Sequence, residues 1–115
     1  MQKLAINLFI ACLLLSSCSN SSDMGAVIVD LYIKDHKFTP SVIEVPEGKK
    51  IILIVHNQDS TIEEFESVEL KREKIVLGNS ESKIKFAPLQ VGEYKFFGDF
   101  HQDTAHGKII VKKAN

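Results

Sequence analysis

Residues 94–111 read YKFFGDFHQDTAHGKIIV. Two runs, 94–97 and 108–111, are aromatic and β-branched and favour a pleated sheet. They enclose a loop of opposite character, in which Asp99, His101, Asp103 and His106 gather carboxylate and imidazole groups that no apolar core requires. Loops held by a rigid sheet are where binding groups concentrate, so this hairpin is read both as the closing pair of strands and as the place of a site.

Upstream of the hairpin the same two-residue period recurs. Val27, Val29, Leu31 and Ile33 alternate with other side chains and predict one buried strand face. Pro40 and the Pro46-Glu47-Gly48 turn bracket a short strand over 42–45. Residues 50–57, KIILIVHN, form a continuous apolar run, too short for a helix and suited to a strand covered on both faces. EEFES follows the polar turn NQDST, and in SKIKF the side chains of Ile84 and Phe86 alternate with lysines. Residues 63–74 are the one stretch with any helical potential, yet the spacing of Phe65, Val68 and Leu70 is poor for an amphipathic helix. About seven to eight short strands at regular spacing predict an all-β protein, a Greek-key β-sandwich.

The amino-terminal part has a different logic. Lys3 precedes an apolar run over 4–15 interrupted only by Asn7, shorter than the roughly 20 residues a membrane-spanning helix needs. It reads as the apolar region of a signal peptide. The run ends in Leu15-Ser16-Ser17-Cys18, which resembles the bacterial lipobox. That resemblance implies a lipoprotein signal over 1–17, acylation of Cys18, a flexible polar tether over 18–25, and a single domain over 26–115. Ser19 after the cysteine implies the outer membrane rather than the inner, with the domain in the periplasm.

This reading removes both cysteines from the domain, Cys12 with the signal and Cys18 under lipid. No disulfide, thiolate ligand or cysteine nucleophile is then available. Charge is nearly balanced, with 14 Lys and Arg against 15 Asp and Glu and no basic cluster, so nucleic acid is not an expected partner. A hydrolase is disfavoured too, since the chain has no HExxH motif, phosphate-cradling glycine loop or Ser-His-Asp order.

Three segments carry a wider resemblance: FTPSVIEVPEGKKI (38–51), NQDSTIEEFESVELKREKIV (57–76) and PLQVGEYKFFGDFHQDTAHGKIIV (88–111). Together they resemble the cupredoxin family. More narrowly, EEFES, REK and FFGDFHQDTAHG are similar to motifs of the small periplasmic cupredoxin-like proteins that accompany high-affinity iron permeases. In blue-copper members of the family the closing hairpin supplies Cys, then His, then an axial Met. Counted onto this chain, these ligands fall on Gly98, His101 and His106, and the family's first His falls on Glu63, above a core Phe65.

A blue-copper centre needs a thiolate with two imidazoles, so the resemblance implies kinship without that centre. It implies instead one metal ion, iron or copper, held by Glu63, His101 and His106, with Asp99, Asp103 and Glu66 nearby. Two imidazoles and a carboxylate with open positions suit non-haem Fe(II), and Cu(II) or Zn(II) would bind as well. The implied partners are an iron permease complex and a periplasmic iron-binding protein, with the membrane reached through the lipid anchor. His106 stands where related proteins often have Gln and favours Cu(II), so a copper carrier or electron-transfer module is a second reading. A third is a docking module without a metal. His36 and His56 are read as surface histidines, Glu64 as pointing away from Glu63 across the pleat, and Glu69, Arg72 and Glu73 as a solvated charged segment.

Overall fold

In the computed structural model, residues 25–115 are described, and their alternating apolar positions fold as nine strands in two layers. The strands are β1 (Val27–Lys34), β2 (Lys37–Thr39), β3 (Val42–Pro46), β4 (Ile51–Asn57), β5 (Glu63–Ser67), β6 (Arg72–Val76), β7 (Ser80–Phe86), β8 (Gly92–Gly98) and β9 (His106–Lys112). A short 3-10 helix, Asp99–His101, follows β8. The first sheet has the order β2-β1-β4-β7 and the second β3-β9-β8-β5-β6. Each contains one parallel pair, β1 with β4 and β3 with β9, among antiparallel neighbours.

Nine strands are one or two more than the expected seven to eight, and two of them carry weak sequence signals. β2 is only three residues long, and β6 is exposed at four of its five positions, a charged edge that blunts pairing with other chains. The segment around Arg72 and Glu73 is thus exposed, as read from sequence, but extended and paired to β5. β4, with five of its seven residues buried, is the central strand the apolar run predicts.

The core lies between the layers, and its upper end is aromatic. Phe38, Phe65 and Phe96 meet at centroid distances of 5.1 to 6.3 Å, one pair stacked and two edge-on. Each is at most 4% exposed, and such pairs add to the area they bury. This cluster is the floor under the β1–β2 turn, the start of β5 and the end of β8.

Residues 1–24, which include the signal peptide, Cys18 and nearly all of the tether, lie outside the described residues.

Candidate metal centre

The candidate site stands on that aromatic floor and is built from three loop-proximal positions. Glu63 opens β5 with its side chain inward, one pleat above Phe65, and its side chain is only 2% exposed. A buried carboxylate needs partners for its lone pairs. Oε1 accepts the backbone N–H groups of Glu64 (3.0 Å) and Phe100 (2.9 Å), while Oε2 faces Nδ1 of His101 at 2.6 Å. The 3-10 turn after β8 presents both Phe100 N–H and the His101 ring to this one carboxylate.

The third member is His36. Asp35 and His36 are the two central residues of the β1–β2 hairpin, closed by the Lys34–Lys37 pair, and both have positive φ (52° and 56°). Two-residue hairpin turns of this kind favour Asn and Gly because other side chains are strained there. Asp59 supports the turn from the NQDST loop: its carboxylate accepts the N–H of Asp35 (2.8 Å) and of His36 (3.0 Å). Its Oδ2 also lies 3.5 Å from His36 Nδ1. Burial pushes the Asp59 carboxyl up, but those two hydrogen bonds and the nearby imidazoles outweigh it and hold the group below its ordinary value of 3.8. The buried Asn57 positions the loop in turn, donating to Thr61 and Val76 carbonyls and accepting the Asp59 N–H.

This framing puts the His36 ring flat against the His101 ring, centroids 3.5 Å apart and planes 14° from parallel. His36, Glu63 and His101 each offer one donor atom within 4.8 Å of the other two. Donors bound to one first-row ion at ~2.1 Å stand about 3–4 Å apart, a spacing close to this one, and the stacked rings must splay for both in-plane lone pairs to meet on one ion. The chemistry fits as well. The fixed Glu63 carboxylate supplies one hard anionic oxygen, and the two imidazoles, 40% and 26% exposed, supply borderline nitrogen facing solvent.

Gly98 bears on whether a thiolate could join these donors. It stands where the ligand pattern of blue-copper proteins places cysteine, and its backbone (φ −92°, ψ 112°) suits any residue. A Cβ there would lie 2.7 Å from Glu63 Cδ and 2.8 Å from Ala105 Cβ. The carboxylate of Glu63 occupies the space a thiolate would need.

The other residues singled out from sequence lie elsewhere. Ala105, fully buried, is the residue that points inward after the turn, so the pleat turns His106 outward at the start of β9. There His106 joins Ser41, Val42, Lys95, Phe97 and Lys108 around a shallow cleft of about 400 Å³ on the outer face of the second sheet. Asp99 and Glu66 also lie outward and gather with Glu64, one carboxylate oxygen of each within 4.8 Å of the others. Burial and then the charges of Asp99 and Glu73 hold the Glu64 and Glu66 carboxyls above their ordinary value of 4.5. Asp103 is exposed in the turn and belongs to neither group. His56 lies on the outer face of the first sheet, between Asp30 (2.8 Å) and Glu81 (3.1 Å), and stacks on Tyr32.

His36 is the member that sequence reading passes over. Its signal was present in KDHKF: a histidine in a two-residue hairpin position that turn chemistry reserves for Asn or Gly.

A two-layer Greek-key sandwich with imidazole and carboxylate donors gathered beside its closing hairpin has the architecture of a cupredoxin. The sequence matches the cupredoxin-like domain family over residues 5–111, and the chain belongs to that family. An uncharacterized protein of Rickettsia prowazekii (strain Madrid E), RP394, is 60% identical over 83 residues, which are 72% of this chain and 66% of that one. The chain therefore spans about two thirds of that relative's length. Among solved structures, the metal-binding domain of the Cu(I)-exporting P-type ATPase of Streptococcus pneumoniae D39, with Cu(I), superposes with a TM-score of 0.67 at 16% identity, over 77% of this chain and 88% of that one. Auracyanin A, a "blue" copper protein of Chloroflexus aurantiacus, superposes with a TM-score of 0.66 at 13% identity, over 76% and 100% of the two chains. At these identities the likeness is one of fold.

Proposed function

We propose that this protein is an exported, lipid-anchored cupredoxin that binds a first-row transition metal through His36, Glu63 and His101, and that the cargo is iron handed to a permease system. The observation that carries the reading is Glu63. A carboxylate fixed by two backbone N–H groups stands where a blue-copper protein needs open space for its thiolate. With oxygen in place of sulfur the donor set is hard to borderline, which favours the ferric over the ferrous ion and so eases oxidation of bound iron. Iron as the ion, the permease as partner, the anchor at Cys18 and the periplasmic location rest on the sequence resemblances.

A second reading is a copper carrier. Two imidazoles bind Cu(II) more tightly than Fe(II) by the Irving–Williams order, and the solved relatives of the same fold named above hold copper.

Calorimetric titration of the chain from Ser19 onward separates the two, with Fe(II) under anaerobic conditions and separately with Cu(II). The parent is compared with His36→Ala, Glu63→Gln and His101→Ala. Saturable Fe(II) binding that each substitution weakens by at least about tenfold, with faster oxidation on admitting air than in buffer, supports the iron reading. Tight Cu(II) binding without any effect on iron oxidation supports the copper reading. Binding of neither ion overturns both.

A further inference from the structure

The cleft around His106 and the acidic group around Glu64 play no part in the centre just described, yet both lie on one surface. The outward side chains of the second sheet can be placed by register. Phe97 pairs with His106 on one side and with Glu66 on the other, Glu66 with Glu73, and Lys95 with Lys108, which pairs with Val42. The face is therefore divided by sign, except that two carboxylates flank its lysines: Glu69 accepts the Lys95 N–H at 2.9 Å, and Glu93 lies 3.5 Å from Lys108 Nζ. Lys95, Lys108 and His106 occupy one corner, Glu64, Glu66 and Asp99 the diagonally opposite corner, and Phe97 the middle.

An acidic group alone is an ordinary solvated face. Here it is matched, on the same face and at equal distance from Phe97, by a cleft with apolar walls and a cationic rim. We propose that this face docks a second copy of the chain about a two-fold axis that lies in the plane of contact and passes diagonally over Phe97.

The two-fold operation gives specific pairs. It sets Lys108 against Glu64 of the second copy, Lys95 against Glu66, His106 against Asp99, and Phe97 against its own counterpart. It also brings exposed Val42 (43%) over exposed Ile62 (44%). Each pair occurs twice, as an isologous interface requires. The diagonal axis makes the strands of the two copies cross near a right angle, one of the two angles at which sheets pack face to face. Glu73 and Glu93 meet at the rim, where solvent screens them.

The charges also have reason to pair. Glu64 and Glu66 are crowded by Asp99 and Glu73 within their own chain. Among the described residues Lys108 has one ion pair, with Glu93 at 3.5 Å. The face spans roughly 24 Å across five strands and 17 Å along them, which is small for a permanent interface. Association is accordingly weak, reversible and dependent on charge.

Sedimentation of the chain from Ser19 onward over a concentration series tests this, in salt of about 0.01 M and about 1 M, where the Debye lengths are ~30 Å and ~3 Å. The parent is expected to dimerise at low salt and to dissociate at high salt. Glu66→Lys and Lys95→Glu should each weaken the dimer by at least about tenfold, because one substitution sets like charges together twice. An equimolar mixture of the two variants should form a heterodimer, in which every reversed charge meets a complementary one. All these positions are on the outer face, so cooperative thermal unfolding of each variant at or above the parent's temperature shows that the fold is intact. A parent that stays monomeric at low salt overturns the proposal. So does a dimer that ignores both substitutions, or a mixture that does not associate.

Discussion

Gly98→Ala places one methyl group into the space that Glu63 fills, and the expected damage follows from geometry alone. The backbone at Gly98 is ordinary extended chain, so alanine incurs no conformational penalty there. The new Cβ would lie 2.7 Å from Glu63 Cδ, 2.9 Å from its Oε1 and 2.8 Å from Ala105 Cβ. All three are closer than non-bonded carbon and oxygen atoms approach, so Glu63 or the turn must move. Overpacking of this kind costs ~1–3 kcal/mol. Displacement of a carboxylate that accepts two backbone N–H groups and faces an imidazole at 2.6 Å loses at least one charged hydrogen bond, at ~1.5–3 kcal/mol. A total of about 3 kcal/mol would lower Tm by roughly 12–24 °C in a domain of this size. The assay is denaturant and thermal unfolding of four proteins: the parent, Gly98→Ala, Glu63→Ala and the double variant. If the clash is with Glu63, Gly98→Ala costs less by about 1 kcal/mol or more in the Glu63→Ala background, the Ala105 contact accounting for the remainder. A single variant that loses under about 1 kcal/mol, or a cycle that is additive, would refute the claim that Glu63 and position 98 compete for one space.

Three further outcomes are expected. His36→Gly relieves a strained positive-φ position and should leave Tm unchanged or slightly raised, while metal affinity measured by titration falls by at least about tenfold; parallel loss of stability would show that the His36–His101 stack is structural. Because the folded-state pKa of Asp59 is depressed, its contribution is full above the unfolded value of 3.8 and is lost as pH falls through the folded value. Asp59→Asn should therefore unfold more easily than the parent near neutral pH, with the gap closing in acid; a gap independent of pH would contradict this. Glu64 and Glu66 have raised folded-state values, so their ionised forms oppose folding, and the opposition is relieved as pH falls from the raised values toward 4.5. Glu66→Gln should thus be the more stable form near neutral pH and lose that advantage in acid, which urea unfolding across pH would show.

Most of the sandwich was legible because each core strand writes its burial into its alternation. Leu31 and Ile33, Ile43 and Val45, and Ile84 and Phe86 are all at most 4% exposed, and the sequence separates the last two pairs by a charged residue and the first by the amphipathic Tyr32. β6 was not legible as a strand. As an edge strand of Arg-Glu-Lys-Ile-Val it buries only Val76, so its period carries little signal. Within the candidate site, Glu63 was placed by the family resemblance, and Phe65 agrees with it by fixing which face of β5 is inward. His106 and His36 mark the limit of such reasoning. Counting along a hairpin loop preserves spacing but not side-chain direction, and the turn at 102–104 leaves Ala105 inward and His106 outward. His36 lies 27 residues from Glu63 and 65 from His101 in sequence, so its place over the site depends on how the first sheet's β1–β2 turn packs across the second sheet. No local pattern reports that packing.

The chemistry of this scaffold turns on which residue fills the space between β5 and β8. In a blue-copper pattern a histidine on β5 and a cysteine on β8 share it, one nitrogen and one sulfur around the ion. Here Gly98 has no side chain to contribute, and the longer Glu63 fills that space with an oxygen donor. The exchange is coupled: a cysteine restored at position 98 would collide with Glu63, so neither change is neutral without the other. A carboxylate so deeply buried would be costly if unpaired, and the amide groups of Glu64 and Phe100 with the His101 ring are what make it tenable. The 3-10 turn that aims Phe100 N–H at Glu63 also sets His101 beside it, and the Asp59-supported hairpin lays His36 over both. One set of contacts therefore holds the buried carboxylate in the fold and arranges the donors, so under the proposed metal-binding function a single methyl group at Gly98 should disturb stability and metal affinity together.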